Sequence, residues 1–494
     1  MKRELLYHLR EYYKASFMND PKTTSMTRRD FGKAVAAGGA LLGLSALPSR
    51  VRATPAGRRL RIACVGAAGK GWDDLRGVSG GGELHDIVAL CDIDHRDGGK
   101  QPPNLAPGQL ARSLGIGAAA RMFPKAKLYT DYRRMLERED IDAITVSTPD
   151  HMHATVAISA MALGKHVFVQ KPMTQTVHEA RIMREFARAK GVVTHMGNQY
   201  HSSVGYRCAV QAIRSGVLGK IREAHSFLNT KPVWLPGIKE LAVGEDPVPK
   251  DIHWNEWVGV AQPRPYKTHL YHNFNWRAWK EYGTGSMGDM GCHIMDVVVW
   301  ALELGAPTAL RAEVSNMDDL VYPEASTVVY EFPATRYTHE GFRYTWSDGL
   351  KKESPIDKSL FPEGFKLPSS GSLFTGDEGW MLASPGSPPR LYPQEKFRDY
   401  TVGPLKQMFG ELGAEKLDHY LEWPNAILAG RSANSSFDVA GPLTETVMLG
   451  TIAQRAPGRR LVWDAARLRF DDPAATALVR RQYRKGWGID ALRG

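Results

Sequence analysis

From residue 60 onward the chain alternates short apolar runs with segments of helical periodicity. Runs at 60–66 (LRIACVG), 87–94 (IVALCDID), 143–148 (AITVST) and 166–172 (HVFVQKP) read as strands. They lack polar alternation, as expected of strands covered on both faces. Residues 132–136, 153–163 and 177–190 read as helices, so the first part predicts βαβ units and a doubly wound parallel sheet. The pattern changes after about Gly191. Residues 192–199 predict one more strand, followed by a helix through Cys208 to Ser215. Farther on, β-branched alternating stretches at 327–332 and 372–375 predict a large, open, mostly antiparallel sheet. Proline- and glycine-rich segments at 233–249 and 348–370 read as loops, and 463–494 as a surface helix and tail. The chain is thus expected to be α/β throughout, divided into 1–55, 58–190 and 191–494. No internal repeat is visible.

The first 55 residues stand apart. Thr27-Arg28-Arg29-Asp30-Phe31-Gly32-Lys33 precedes a run of small and apolar residues from 34 to 47, the pattern of a twin-arginine export signal. That run is too short and too rich in Gly and Ala for a spanning helix, which needs about 20 strongly apolar residues. No stable membrane insertion is expected. Residues 1–25 are charged and aromatic, unlike a signal, so translation is expected to start at Met26 and cleavage to follow Ala46 or Ala53. Twin-arginine export carries folded proteins, so a periplasmic or otherwise exported protein that closes around its cofactor beforehand is expected.

Charge changes the picture less than its total suggests. The formal charge is +11, but residues 1–53 hold ten Lys/Arg against four Asp/Glu, leaving +5 for the remainder. No basic run is interleaved with aromatic residues, which argues against a nucleic-acid partner. Cys64, Cys91, Cys208 and Cys292 show no metal or disulfide spacing, and Cys64 and Cys91 fall in strand-like runs as buried thiols. His178, His195, His225 and His253 match no motif, and no metal is expected.

The first chemical feature is the cluster Gly66-Ala67-Ala68-Gly69-Lys70-Gly71 directly after the first strand. A dinucleotide pyrophosphate needs a tight turn, close backbone approach and helix N-terminal amides, and Gly66, Gly69, Lys70 and Gly71 stand where these would be supplied. The spacing is G-x-x-G-x-G, with Ala68 where the usual fingerprint has its second glycine. Asp92 ends the second strand, 26 positions after Gly66. A carboxylate there accepts from ribose hydroxyls and repels a 2′-phosphate, so a Rossmann domain favouring NAD over NADP is expected.

The second feature is Thr148-Pro149-Asp150-His151-Met152-His153, followed by Gln170-Lys171-Pro172. With the glycine turn and Asp92, these motifs resemble the Gfo/Idh/MocA family, oxidoreductases related to glucose–fructose oxidoreductase and inositol dehydrogenase, across about residues 58–450. The resemblance implies an N-terminal Rossmann domain and a C-terminal α/β domain with a large open sheet, the latter binding substrate and forming a homo-oligomer. It also implies that Thr148, Pro149, His153, Gln170 and Lys171 lie at the cofactor, with Lys171 catalytic. Gln170 departs from the family's Glu-Lys-Pro and removes a carboxylate beside that lysine. Asp289 and His293 are four apart and share one face of a helix. The family's D-x-x-x-H spacing implies that they are catalytic, His293 as the base for a substrate hydroxyl. Losing hydride from a carbinol carbon requires that proton to leave, a task suited to neutral imidazole.

Sugars present apolar faces ringed by hydroxyls, so aromatic and amide-rich segments are substrate candidates. These are Asn198, Gln199 and Tyr200 after a strand, and His272, Asn273, Trp276 and Arg277 farther on. Trp254 and Trp257 could equally be core. The expected function is NAD-dependent oxidation of a ring hydroxyl of a sugar or glycoside. The alternatives are an NAD-retaining glycosidase or lyase working through transient C3 oxidation and elimination, and a catalytically silent sugar-binding protein. An intact Lys171, Asp289 and His293 argue against the last.

Overall fold

The computed structural model describes residues 57–97, 115–230, 244–272, 274–315, 319–349, 356, 360–362 and 364–489. The segment expected to be an export signal and Asn273 lie outside these described residues.

The apolar runs form a six-stranded parallel sheet of β1 (Arg61–Val65), β2 (Asp86–Cys91), β3 (Lys127–Tyr129), β4 (Ala143–Val146), β5 (His166–Val169) and β6 (Thr194–Met196). Its order is β3-β2-β1-β4-β5-β6, so the direction in which strands are added reverses between β1 and β4, which stay parallel. Ligands of open α/β sheets lie outside the carboxyl ends of the strands at such a switch point. The strand at 194–196 pairs in parallel with β5 and closes this sheet, although the sequence pattern changes before it. Helices α1 (Lys70–Ser79), α2 (Asp150–Ala162) and α3 (Val177–Lys190) connect the strands. Helix α3 begins with a reciprocal capping box between Thr176 and Glu179 and ends at left-handed Gly191, which satisfies orphan backbone groups at both ends.

The second sheet has nine strands: β7 (Ile221–Leu228), β8 (Ala309–Ser315), β9 (Ala325–Glu331), β10 (Thr338–Asp348), β11 (Ser370–Gly376), β12 (Trp380–Ala383), β13 (Arg390–Tyr392), β14 (Arg460–Asp464) and β15 (Arg469–Phe470). Their order is β13-β12-β11-β7-β10-β9-β8-β14-β15, antiparallel except at β7–β10. The expectation of a surface helix and tail over 463–494 needs correction. Trp463 lies on β14, which pairs with β8, and its side chain is buried. After a short helix the tail folds back, its Tyr483 hydroxyl donating to Glu179 of α3.

Three more helices join the sheets. Helix α4 (Gly285–Ile294) packs on the second sheet, and α5 (His419–Ala429) packs on α1. Helix α6 (Phe437–Gln454) touches α3, α4 and β8 and is buried nearly all round. Trp423 and Ile427 of α5 enter the core beneath β1, and each such buried side chain contributes ~1.5–3 kcal/mol. The four cysteines are free and buried. Among the described residues no helix is long and apolar enough to cross a membrane, and no three His, Cys, Asp or Glu side chains form a metal-binding group.

Candidate active site

A cavity of about 1070 Å³ runs from the carboxyl ends of β1, β2 and β4 to α4. It stands at the upper end of the ~300–1,000 Å³ range of small-molecule and cofactor sites.

Its floor is the glycine turn. A Cβ at Gly66 would lie 2.5 Å from the Ser147 carbonyl oxygen, and one at Gly71 only 1.8 Å from that of Gly66. Glycine is therefore what lets β1, β4 and α1 converge. Gly69 differs: its φ is +57° and nothing lies within 4 Å of its Cβ position. It precedes α1 without a side-chain cap, so the helix terminus opens toward the cavity. That open, uncapped terminus fits a pyrophosphate.

At the end of β2, the Asp92 carboxylate accepts from the amides of Ala67 (2.8 Å) and Asp94 (3.0 Å), fixing it at the cavity edge. Burial pushes its carboxyl up. Asp94 lies beside it, accepting from Arg96 and 3.0 Å from His272 Nε2; these partners hold it well below the usual carboxylate range despite burial. His272 is thus placed near Asp92, held by Asp94, rather than beside Lys171 and Asp289. The far wall includes Trp487, whose ring meets the guanidinium groups of Arg133 (4.3 Å) and Arg484 (4.7 Å).

At the other end, Lys171 Nζ donates to the Asp289 carboxylate at 2.7 Å and to its carbonyl at 2.9 Å. Arg277 Nε reaches the same carboxylate at 3.3 Å, and its guanidinium lies 4.3 Å from the Trp276 ring. Asp289, rather than residue 170, is therefore the carboxylate beside Lys171. Lys171 and Arg277 hold Asp289 well below the usual carboxylate range although burial opposes them. His293, one turn along α4, also lines the cavity, and its Nδ1 has no hydrogen-bond partner among the described residues. Burial and the neighbouring Lys171 push its imidazole down to about 3, so it is neutral at pH 7. Asp150 completes this end. It accepts from Thr284 Oγ1 at 2.5 Å, and burial pushes it up to about 7.

Most of the candidates from the sequence line this one cavity: Gly66, Gly69, Lys70, Asp92, Thr148, Pro149, Gln170, Lys171, Gln199, His272, Trp276, Arg277, Asp289 and His293. Gly71 lies just beneath, against Gly66. Three expectations need correction. His153 is buried, its ring nitrogens 2.8 Å from the Pro172 and Thr148 carbonyls, so it braces the cofactor side without reaching it. Asn198 is buried and accepts from Ser435 Oγ at 2.5 Å, away from the cavity. Tyr200 stands behind His293, ring centroids 4.9 Å apart, and does not line the cavity. Asp94, Asp150 and Trp487 carried no expected role. Trp254 and Trp257 stack at 4.5 Å in an aromatic cluster, and Trp257 also reaches the cavity wall.

A doubly wound sheet with a glycine turn after its first strand and a carboxylate after its second, both opening on one cleft, defines a dinucleotide-binding Rossmann domain. The chain belongs to the Gfo/Idh/MocA family. Residues 60–198 match its oxidoreductase-family model for the NAD-binding Rossmann fold, and residues 210–328 the model for its C-terminal alpha/beta domain. Levoglucosan dehydrogenase of Pseudarthrobacter phenanthrenivorans is 26% identical over 199 residues, 40% of this chain and 42% of that protein. The scyllo-inositol 2-dehydrogenase (NAD(+)) of Bacillus subtilis is 32% identical over 112 residues, 23% of this chain and 30% of that protein. The chain thus matches less than half the length of either relative. Among solved structures, the WlbA dehydrogenase of Bordetella pertussis in complex with NADH and UDP-GlcNAcA superposes with a TM-score of 0.54 at 15% identity, over 82% of this chain and 98% of that one, a likeness of fold.

Proposed function

We propose that this protein is an NAD-dependent oxidoreductase acting on a ring hydroxyl of a sugar or glycoside. The observation that carries the reading is the convergence of Lys171, Asp289 and neutral His293 at one end of a cavity whose other end begins at the glycine turn. Levoglucosan dehydrogenase and the inositol dehydrogenase lend support as relatives that act on polyhydroxylated rings. Bound in the cleft, NAD supplies a nicotinamide carbon that accepts hydride. His293 takes the hydroxyl proton while Lys171, oriented by Asp289, hydrogen-bonds the oxygen as it becomes a carbonyl. Arg277 and Trp276 offer a donor and an apolar wall to the ring. The test is NADH formation across a panel of sugars and aryl glycosides. His293→Ala should lower turnover ~10²–10⁴-fold with NADH affinity unchanged. Near-wild-type turnover in that variant would remove His293 as the base.

Asp150 favours a second reading, a redox-neutral cycle in which a proton α to a transient ketone is also abstracted. It is a second carboxyl on the same cavity, able to exchange protons near pH 7. A relative named 2,7-anhydro-N-acetylneuraminate hydratase, 32% identical over 100 residues, supports it. Cleavage of an aryl glycoside without net NADH would favour this cycle over simple oxidation.

We also propose export through the twin-arginine machinery and homo-oligomer contact through the nine-stranded sheet. Changing Arg28 and Arg29 to Lys should leave folded precursor in the cytoplasm. Unimpaired export would refute that assignment.

A further inference from the structure

Asp74 was no part of the motifs, yet four hydrogen bonds converge on it. Its carboxylate is fully buried on α1 and accepts from Lys70 Nζ (2.7 Å), Ser147 Oγ (2.7 Å) and Gln170 Nε2 (2.9 Å to each oxygen). The donors come from the start of α1 and from just beyond the ends of β4 and β5. All three line the cavity, whereas Asp74 lies behind them.

Gln170 cannot easily turn away from Asp74. Its Oε1 accepts from the Lys171 amide at 3.3 Å, and a Cβ at Gly197 would lie 2.3 Å from its Nε2. A glutamate at 170 would offer no N–H and would set a second carboxylate about where the amide nitrogen now sits. Like charges at that distance cannot both stay ionised without cost. The other titratable groups facing Asp74 are Lys70, the Tyr420 hydroxyl that shares Lys70 (2.7 Å), and the buried Cys64 thiol on β1. Gln199 adds a further acceptor for Lys70: oriented to donate to the Gly197 carbonyl at 3.0 Å, its oxygen lies 3.1 Å from Lys70 Nζ and from the Tyr420 hydroxyl.

We propose that Asp74 is the positioning carboxylate of the dinucleotide cleft, and that Gln170 is the amide its presence requires. Asp74 ties the helix terminus that faces the pyrophosphate to the strand ends on the nicotinamide side. Gln170 carries that tie to the backbone of Lys171. The inference rests on the cleft being a dinucleotide site.

The test compares wild type, Gln170→Glu, Asp74→Asn and the exchanged double variant Asp74→Asn/Gln170→Glu, by NADH titration and by thermal unfolding without cofactor, at pH 6 and pH 8. Gln170→Glu should bind NADH at least tenfold more weakly at pH 8 and recover to within about threefold at pH 6, where the paired carboxyls share one proton. Asp74→Asn should be weakened at both pH values, because Lys70 loses its counter-charge. The double variant restores one acid and one amide and should lie within about threefold of wild type at both. Wild-type affinity of Gln170→Glu at pH 8, or a double variant no better than the worse single, overturns the proposal. Should a single variant fail to fold, a folded, NADH-binding double supports the exchange and an unfolded double overturns it. Should wild type not bind NADH, the cofactor reading falls, while the pH-dependent unfolding of the four proteins still decides whether the pair exists.

Discussion

Replacing Asp289 by Asn keeps the shape of the α4 side chain and removes its charge. Lys171 and Arg277 then face a neutral amide. The Lys171 side chain is 14% exposed, too little for water to replace the lost carboxylate. Breaking a buried pair by removing one partner costs about 3–5 kcal/mol. The Asp289 side chain is itself 18% exposed, and the Asn oxygen can still accept from Lys171, so about 3 kcal/mol is expected. At ~2.1 cal/mol/K of unfolding entropy per residue, a chain of 494 residues loses about 1 °C per kcal/mol, so Tm should fall by roughly 3 °C. The charge left behind, rather than the lost hydrogen bond, is the larger cause, and a second substitution separates the two. Lys171→Met removes the stranded ammonium, so Asp289→Asn/Lys171→Met should be more stable than the two single losses predict. Contacting charges couple by ~0.5–3 kcal/mol, and the upper half of that range is expected here. Urea unfolding of the four proteins at pH 7 measures the coupling. Losses that add within about 0.5 kcal/mol would refute the ion pair as the organiser of this end of the site.

With Asp92 proposed as the ribose acid and Asp94 beside it on the cavity wall, NAD(H) should bind more than tenfold tighter than NADP(H), a difference of at least about 1.4 kcal/mol; equal affinities in a titration would remove Asp92 from the ribose site. Burial pushes His151, His293 and His419 down to about 3 and His153 to about 4. The folded state holds these rings neutral while the unfolded chain takes up protons near pH 6.5. Their stabilisation is therefore complete above pH 6.5 and lost as pH falls toward 3–4; a Tm as high at pH 5 as at pH 8 would contradict it. Gly71→Ala forces a Cβ against the Gly66 carbonyl, where overpacking costs ~1–3 kcal/mol, and should lower both Tm and NADH affinity. Unchanged binding in that variant would mean that the turn is not under the cofactor.

Legibility tracked the separation between interacting residues. The glycine turn, Asp92, Lys171 and the pair Asp289–His293 declare themselves within a few positions of a strand end or along one helix, so pattern alone brings them forward. The role of Asp150 depends on Thr284, 134 residues away; that of Asp94 on His272, 178 away; and that of Lys70 on Tyr420, 350 away. No local period encodes such partners. His153 shows the converse failure. Helix α2 is apolar and buried on every side, so its periodicity does not say which face meets the cavity, and a histidine near a motif can turn to backbone carbonyls instead. Asp74 lies between these cases, because the local half of its network was visible. Lys70 and Asp74 stand four apart on α1, the spacing of a helical ion pair. The amide in the lysine-proline motif is the other half, brought to it across 96 positions. A charged residue missing from one motif and a surplus one a helical turn past another form a signal readable only in combination, and the parallel sheet is what makes them neighbours.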